Sequence, residues 1–402
     1  MPKPITIRDI HVITTQPYSY ARMVIVKVLT SEPGLYGVGC ASFTTKFHAV
    51  VTALEKHLKP YLLGHDVSRI EEIWQMAMLH GYWRNGPVLN NAVSGVDQAL
   101  WDIQGKQANM PVYQLLGGKT REAAHVYTHA DGHTPQEVAD NVKRLMAEGY
   151  RYIRIQLGGY GGRGDTIVKP DNAPEGGYFD RKAYMRNTLR MIEYVRSEVG
   201  EEVELLHDIH ERLHPIEAVQ FAKRVEPFNL FFLEDPLAPE DLEWFTRIRE
   251  QCATPIAMGE LFNNPREWQP LIANTLIDFI RMHVSQMGGI TPARAVTLFA
   301  NMFGVRTAWH GPADTSPVGH AANLHLDVWA PNFGVQEWVR FPENVYAIFP
   351  GLPEVRNGYL YPNDKPGLGI DIDEKLAAEF PCREEISIWP QPRLADGTPV
   401  RP

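Results

Sequence analysis

The sequence is poor in cysteine, and the few cysteines it has are widely separated. Three occur among 402 residues, at Cys40, Cys252 and Cys382. They form neither the closely spaced pairs of a metal site nor the even-numbered framework of a disulfide-rich domain. We therefore expect three plain thiols and a reducing, cytoplasmic location.

Long apolar runs are also missing. No stretch of the sequence approaches the roughly 20 apolar residues that a membrane span requires. The N-terminus, MPKPITIRDI, lacks the apolar core of a secretory signal. We therefore expect no membrane partner and no signal peptide.

Positive charge is in deficit. The chain has 39 Lys and Arg residues against 48 Asp and Glu residues, which gives a formal net charge of −9. Sequence-independent binding of nucleic acid needs a basic face, so a nucleic-acid partner is not expected. An anionic small molecule is not excluded, because a metal ion and a few arginines can reverse the potential locally.

The pattern of elements divides the chain into two parts. The first forty residues read as strands around a turn at 31–34, and helical spacing follows from about 68 to 117. Strands followed by a block of helices predict a separate α+β unit. We predict a capping domain over residues 1–120, to which a C-terminal segment of about 375–402 returns.

From about residue 122, short apolar runs alternate with amphipathic stretches such as 135–148 and 215–225. This alternation predicts parallel strands joined by right-handed crossovers. Eight runs fit a TIM-type barrel, which we predict over residues 121–374. The runs end at His129, Gln156, Asp208, Glu234, Glu260, Arg281, His310 and Glu337.

One interval between runs is unusually long. Gln156 and Asp208 are 52 residues apart, whereas most other run ends are separated by 21 to 29 residues. The excess, GGYGGRGDTIVKPDNAPEGGYFD, is rich in glycine and polar residues. We predict a long loop over the mouth of the barrel, where such loops are often functional.

Three successive runs end in a carboxylate. Asp208, Glu234 and Glu260 are each separated by 26 residues, and the strand ends of a barrel converge at its C-terminal face. Carboxylates brought together repel one another, and a divalent cation removes that conflict. All-oxygen ligands that are shared with a substrate favour Mg²⁺. The alternative is three solvated carboxylates at loop starts.

His210 lies two residues after Asp208. In an extended segment the two side chains would lie on the same side. A group that titrates near neutrality could then act as a general acid. The alternative is a loop histidine with local hydrogen bonds.

Several segments resemble one family. QALWDIQGKQANMPVYQLLGG (98–118) resembles the cap-to-barrel junction of the enolase superfamily, mandelate racemase subgroup. LLHDIHERL (205–213), FFLEDPLAPED (231–241), AMGELF (257–262) and AWHGPADTSPV (308–318) resemble its mannonate dehydratase and galactonate-dehydratase-like group. The resemblance implies an α+β cap over a (β/α)₇β barrel, Mg²⁺ on the three carboxylates and a homo-oligomer. The implied reaction converts an acid sugar to a 2-keto-3-deoxy acid through an enediolate.

The resemblance also implies roles for individual residues. His210 matches the group that protonates the departing hydroxyl. Lysine bases are not expected, because the second and sixth runs carry Arg154-Ile155-Gln156 and Arg281-Met282-His283. Positions that match substrate contacts are His129, Glu260, Arg281, His310, Asp314 and Glu337.

The sequence departs from the group at two places. The group pairs an arginine, here Arg154, with a tyrosine base where this chain has Thr166. Tyr160 is the nearest phenol and our candidate base, with Tyr178 and Tyr184 as weaker candidates. In the cap, Thr44 replaces a common asparagine that reaches the substrate. We therefore expect low or absent activity on mannonate. Gluconate, another aldonate, an aldarate, or no common acid sugar all remain open as the substrate.

Three alternatives remain. A racemase or epimerase of the same superfamily needs bases on both faces, and His310 could supply only one. A metabolite-binding or regulatory protein would keep the metal site without the chemistry. A Zn²⁺ hydrolase is suggested by His207 and His210, but the first run, which ends at His129, lacks the His-x-His pair that such a fold requires.

Overall fold

The computed structural model describes residues 3–18, 21–158, 169–385 and 392–401, without the side chain of Thr44. Two positions of the sequence analysis, Tyr160 and Thr166, therefore lie outside the described residues, and so does the Thr44 side chain. Their predicted roles stay predictions.

The N-terminal part is an antiparallel sheet covered by helices. Its strands, in the order β1-β2-β3, are Ile7–Thr15, Met23–Thr30 and Tyr36–Cys40. Its helices are α1 (Phe47–Ala53), a π-helix (Leu54–Leu58), α2 (Lys59–Leu62), α3 (Ile70–Leu79), α4 (Pro87–Ala108) and α5 (Val112–Leu116), after a 3₁₀ turn at Thr44–Lys46. The helices before α3 were not foreseen from the sequence.

Helix α4 lies directly on β3. A Cβ atom at Gly37 would stand 2.0 Å from the carbonyl oxygen of Ala99, so only glycine permits this approach. The buried Asp102 of α4 accepts a hydrogen bond from the backbone nitrogen of Val38 at 2.9 Å. Although α4 has 22 residues, no helix in the described part of the chain is long and apolar enough to cross a membrane.

The second part is a barrel of eight parallel strands, as predicted. The strands are β4 (Ala124–Gly132), β5 (Tyr152–Leu157), β6 (Glu204–Asp208), β7 (Phe232–Glu234), β8 (Ile256–Met258), β9 (Phe279–Ile280), β10 (Arg306–Thr307) and β11 (Gln336–Glu337). Each of β4 to β9 pairs with the next strand in the sequence, and β11 pairs with β4. A bridge between Thr307 and Phe333 joins β10 to the segment that leads into β11, which closes the barrel.

Helices follow the strands and surround the barrel. They are α6 (Pro135–Ala147), α7 (Arg181–Val199), α8 (Pro215–Val225), α9 (Trp244–Gln251), α10 (Pro265–Ala273), α11 (Ile290–Met302), α12 (Pro317–Trp329) and α13 (Glu343–Ile348), with 3₁₀ turns at Glu226–Phe228 and Pro239–Asp241. A hairpin, β12 (Glu354–Arg356) and β13 (Tyr359–Tyr361), pairs with β4, and α14 (Glu374–Ala377) comes last.

The inside of the barrel is filled in layers, because alternate strand residues point inward. One apolar layer consists of Tyr127, Leu206, Phe232, Ala257, Phe279, Ala308 and Val335. Two residues further along most of these strands come the polar run ends named from the sequence. The strand register therefore places those polar side chains together, above a closed apolar floor.

The C-terminal segment contacts both parts of the molecule. The backbone nitrogen of Gln16 donates to the Phe380 carbonyl at 2.7 Å, beside the end of β1. Further on, the Phe179 nitrogen donates to the Arg393 carbonyl at 2.7 Å, at the end of the long loop before α7. The last described residues thus lie at the barrel mouth.

Candidate active site

A compact acidic cluster lies at the C-terminal end of the barrel. Ligand atoms of Asp208, Glu234 and Asp235 all lie within 4.8 Å of one another, and all three residues are buried. Among the described residues, Asp208 Oδ1 and Asp235 Oδ2 have no hydrogen-bond partner. Burial raises the pKa of Glu234 and Asp235 well above the usual range, and neighbouring carboxylates add to this. When they are ionised, these carboxylates repel one another, so the cluster needs a positive charge to be stable.

Glu260 lies beside this cluster but is not part of it. Its Oε2 accepts a hydrogen bond of 2.6 Å from Arg281 Nη1. Its Oε1 lies 3.4 Å from His210 Nε2, and its Oε2 lies 3.4 Å from His310 Nε2. The structure thus joins two of the three predicted ligands in one cluster and directs the third toward Arg281.

Arg281 links the acidic groups. Its Nη2 donates to Glu337 Oε2 at 2.6 Å and lies 2.9 Å from Glu234 Oε1. Its Nε and Nη2 both donate to the hydroxyl of Tyr127, at 3.1 and 3.0 Å. In the structure, the donors of this guanidinium are therefore directed at protein groups, and its predicted contact with a substrate stays a prediction.

His129, Arg154 and Glu337 form a hydrogen-bonded chain whose proton positions can be derived. Arginine only donates, so Arg154 Nη2 must donate to His129 Nδ1, which lies 3.3 Å away. The proton of His129 is therefore on Nε2, which donates to Glu337 Oε1 at 2.9 Å. Burial, and then the charge of Arg154, lower the pKa of His129. Arg154 Nη1 also donates to Asp208 Oδ2 at 3.2 Å.

Glu337 is ionised in this arrangement. Burial alone would raise its pKa, but the charge of Arg281 and the hydrogen bond from His129 hold the pKa well below its usual range. Its Oε2 also accepts from the backbone nitrogen of Gly311 at 2.9 Å.

His210 reaches the site by an unforeseen route. An extended segment was predicted for His210, and this prediction was wrong. Strand β6 ends at Asp208, and His210 has a φ of +54°. Glu211 and Asp235 also have positive φ, of +57° and +38°, and the Glu211 nitrogen donates to the Asp235 carbonyl at 3.0 Å. Such strain costs about 1–3 kcal/mol per residue and often marks functional sites. The turn brings the imidazole next to Glu260.

His310 follows β10 and pairs with a second histidine. Its Nδ1 lies 2.8 Å from Nδ1 of His283. Burial lowers the pKa of both imidazoles well below the usual range. Asp314 lies further along the loop that follows β10 and is half-buried.

The hydroxyls of the two weaker tyrosine candidates are hydrogen-bonded to other protein groups. Tyr184 belongs to α7 and bonds His207 Nε2 at 2.8 Å, in the layer between the helices and the barrel. Burial raises its pKa, which makes the phenol a poor base. Tyr178 donates to the Pro174 carbonyl at 2.6 Å. Both hydroxyls are thus engaged with protein groups, and Tyr160 lies outside the described residues.

The same geometry removes the Zn²⁺ hydrolase alternative. His207 faces the helix layer and its Nδ1 bonds the Ile155 carbonyl at 2.9 Å. Burial lowers its pKa to about 4. His207 and His210 therefore point in different directions and cannot share a metal ion.

Three residues of the site, Tyr127, His283 and Asp235, were not identified from the sequence. Tyr127 and His283 each lie two positions from a recognised run end, so the period of two could have identified them. Asp235 directly follows Glu234, and only its left-handed backbone turns it toward the cluster. That conformation has no signal in the sequence.

Comparisons with known proteins agree with this architecture. Residues 2–117 match the family model for the mandelate racemase/muconate lactonizing enzyme N-terminal domain. Residues 137–376 match the model for the enolase C-terminal domain-like family.

Relatives that match nearly the whole chain are called D-galactonate dehydratase family members. A D-galactonate dehydratase family member from Enterocloster bolteae is 54% identical, and the match covers 99% of each chain. One from Enterococcus gallinarum is 50% identical over 100% of both chains. A crystal structure of an enolase from Pantoea ananatis, with bound D-gluconate and Mg, has a TM-score of 0.97 and 51% identity over 99% of this chain and 100% of that one. The chain therefore belongs to the enolase superfamily, with a mandelate racemase/muconate lactonizing enzyme cap, and within it to the D-galactonate dehydratase family.

Proposed function

We propose that the protein is a Mg²⁺-dependent dehydratase that converts an acid sugar to a 2-keto-3-deoxy acid. One observation carries the proposal: a buried acidic cluster, Asp208, Glu234 and Asp235, shares Arg281 with Glu260, which contacts His210, in a member of the D-galactonate dehydratase family.

The residues present fit a magnesium ion. Five carboxylates, on Asp208, Glu234, Asp235, Glu260 and Glu337, stand against the guanidinium groups of Arg154 and Arg281. This excess of negative charge favours a hard divalent cation, and so do an all-oxygen donor set and two buried carboxylate oxygens that accept no hydrogen bond from the described residues. Asp208, Glu234 and Glu260 would hold it. When bound, Mg²⁺ supplies Lewis-acid stabilisation of the charge that develops on the substrate carboxylate.

His210 supplies the proton for the leaving group. Its imidazole is 3.4 Å from Glu260, beside the proposed metal site, so a substrate held there would place its β-hydroxyl near this ring. Protonation lets the hydroxyl leave as water. The resulting enol tautomerises to the 2-keto acid, gaining a proton at C3 and losing the proton of its C2 hydroxyl.

A base must remove the α-proton, and we propose Tyr160 for this role. Arg154 lies within β5, where Asp208 and His129 fix its guanidinium group, and Tyr160 follows this strand in the sequence. A guanidinium charge beside a phenol lowers its pKa.

Within the acid sugars, we propose an aldonate as the substrate. The relative from Pantoea ananatis holds D-gluconate, and Glu337, His129 and His310 offer a polar wall that suits several hydroxyl groups. With Thr44 in the cap, we propose gluconate or a related aldonate, and low or absent activity on mannonate.

One assay tests the proposal. Purified protein with Mg²⁺ is incubated in D₂O with D-gluconate, D-mannonate, D-galactonate and an aldarate, and 2-keto acid is measured together with α-proton exchange. Keto acid is expected, and Glu234→Gln should abolish it. Exchange without keto acid would instead show a racemase, and ligand-induced thermal stabilisation with neither product would show a binding protein.

Two matched variants test the base. Tyr160→Phe should abolish both exchange and dehydration, whereas Tyr178→Phe should leave both unchanged, because Tyr178 bonds the Pro174 carbonyl. Equal effects of the two substitutions would remove Tyr160 from its role.

We further propose a cytoplasmic homo-oligomer with domain borders near residues 120 and 374. Three free cysteines support a reducing compartment. Tyr82 and Trp83 are 80% and 84% exposed in the loop after α3, which supports burial between subunits. Light scattering on Trp83→Ser should show smaller particles than the parent protein, and an unchanged mass would remove that loop from the interface.

A further inference from the structure

His283 and His310 form a buried imidazole pair at the barrel mouth. Their Nδ1 atoms are 2.8 Å apart, and the ring centroids are separated by 5.0 Å. A single hydrogen bond therefore joins two atoms of the same kind. One imidazole must donate through Nδ1 and the other must accept, and the surroundings of the two Nε2 atoms decide which.

The two Nε2 atoms face different partners. His310 Nε2 lies 3.4 Å from Glu260 Oε2 and 3.9 Å from Glu337 Oε2. Carboxylate oxygens only accept when ionised, so these neighbours favour a proton on that nitrogen. His283 Nε2, in contrast, is buried and has no hydrogen-bond partner among the described residues. A proton on it would be an unpaired buried donor, which costs about 1–3 kcal/mol.

Both preferences point in the same direction. With its proton on Nδ1, His283 donates to His310 and leaves only an unused acceptor at its own Nε2. His310 then carries its proton on Nε2, opposite Glu260. In the reverse arrangement, a bare His310 nitrogen would face a carboxylate oxygen, and His283 would bury an unpaired N–H group.

We propose that His283 is a positioning residue, which donates from Nδ1 to His310 Nδ1 and so holds the proton of His310 on Nε2, the nitrogen that faces Glu260. The inference deepens the proposed function and rests on it for the identity of the substrate.

The consequence is a defined role for His310. The Nε2–H group beside Glu260 can donate to a carboxylate or hydroxyl oxygen of an acid sugar and stabilise charge that develops there. The same atom cannot accept an α-proton, because it already carries one. The pair therefore favours dehydration over the two-base chemistry of a racemase.

The first test is the proton position itself. ¹⁵N NMR on histidine-labelled protein distinguishes protonated from bare ring nitrogens, and His310→Gln identifies the His310 signals. We expect a bare Nδ1 and a protonated Nε2 on His310, and the opposite pattern would overturn the proposal. The measurement needs no substrate, so it stands even if the wild-type protein converts no acid sugar, which would count against the proposed function alone.

The second test compares two substitutions. His283→Asn keeps an N–H donor near the former Nδ1 position, whereas His283→Leu keeps bulk and removes the donor. We expect Asn to retain the His310 tautomer and to keep kcat within about threefold. Leu should mix the tautomers and lower kcat by about tenfold or more with a smaller change in KM, a part of the 10²–10⁴ that a placed proton donor contributes. An unchanged tautomer in the leucine variant would show that His283 only fills space.

Discussion

Arg281 Nη2 donates to Glu337 Oε2 over 2.6 Å at the centre of the barrel mouth, and each side chain is only 1% exposed. The pair connects strands β9 and β11, across the end of β10. Because the same guanidinium also contacts Glu234, Glu260 and Tyr127, it is the main positive charge inside an acidic site.

Removing this charge should destabilise the fold strongly. Arg281→Met leaves several buried carboxylates without their counter-charge, and breaking a buried pair costs about 3–5 kcal/mol. Urea denaturation should show a loss of that size. Arg340→Met is the control, because Arg340 is 72% exposed where it pairs with Glu148, and an exposed pair contributes at most about 1 kcal/mol.

A double variant separates charge from packing. Adding Glu337→Gln to Arg281→Met should recover part of the lost stability, because one uncompensated charge disappears. A double variant that is less stable than Arg281→Met would show that repulsion among the carboxylates is not the cause.

Metal ligands and neighbouring groups should differ in how strongly their substitution lowers Mg²⁺ affinity. Glu260→Gln should lower Mg²⁺ affinity, measured by calorimetry, by more than about a hundredfold, whereas Asp235→Asn should remain within the roughly 10–100-fold typical of outer-shell groups. Asp208→Asn and Glu234→Gln should behave like Glu260→Gln. A larger loss for Asp235→Asn than for Glu260→Gln would replace Glu260 with Asp235 in the ligand set.

The barrel and the strand-end cluster could be predicted from the sequence because a period of two is a strong local signal. Once eight runs are recognised, register alone puts Asp208, Glu234 and Arg281 on one inner face. The family resemblance supplied the roles, but the positions of Asp208 and Glu234 followed from strand geometry.

What could not be predicted depends on conformation after the strands end. The positive φ of His210 and Asp235 arises from backbone bonds between neighbouring strand ends, such as that from the Ile209 nitrogen to the Glu234 carbonyl at 3.0 Å. No local residue preference signals these bonds. The partner of His310 also required coordinates, since His283 and His310 are 27 residues apart.

Tyr127 should support the metal site from below, and Tyr184 offers a matched control. Both hydroxyls are buried and hydrogen-bonded, so Tyr127→Phe and Tyr184→Phe should each cost about 1–3 kcal/mol of stability. Only Tyr127→Phe should also weaken Mg²⁺ binding and lower kcat, because Tyr127 bonds Arg281 and donates to Glu234 Oε2 at 3.3 Å. Lost activity in Tyr184→Phe would return Tyr184 to the candidate bases.

Asp97 lies at the junction between the two parts of the molecule, and it should make the free energy of unfolding depend on pH. This residue of α4 accepts a hydrogen bond from the Thr291 nitrogen at 3.0 Å, at the start of α11, and it is 2% exposed. Burial raises its pKa to about 7, although the bonds from Thr291 and Ile290 oppose the shift and Glu71 on α3 adds slightly to it. The folded protein therefore keeps a proton that the unfolded chain, with an ordinary carboxyl, releases near pH 4.

Because the folded state binds the extra proton, this contribution is fully present at low pH and disappears as the pH rises to about 7. We expect the free energy of unfolding of the wild type, measured relative to Asp97→Asn, to fall by up to about 1.4 kcal/mol per pH unit between pH 5 and pH 7, and to level off above that. Urea titrations of both proteins at each pH provide the difference, in which other groups cancel. A difference that stays constant from pH 5 to pH 8 would mean that Asp97 is ionised in the folded state, with its charge stabilised by the N-terminus of α11.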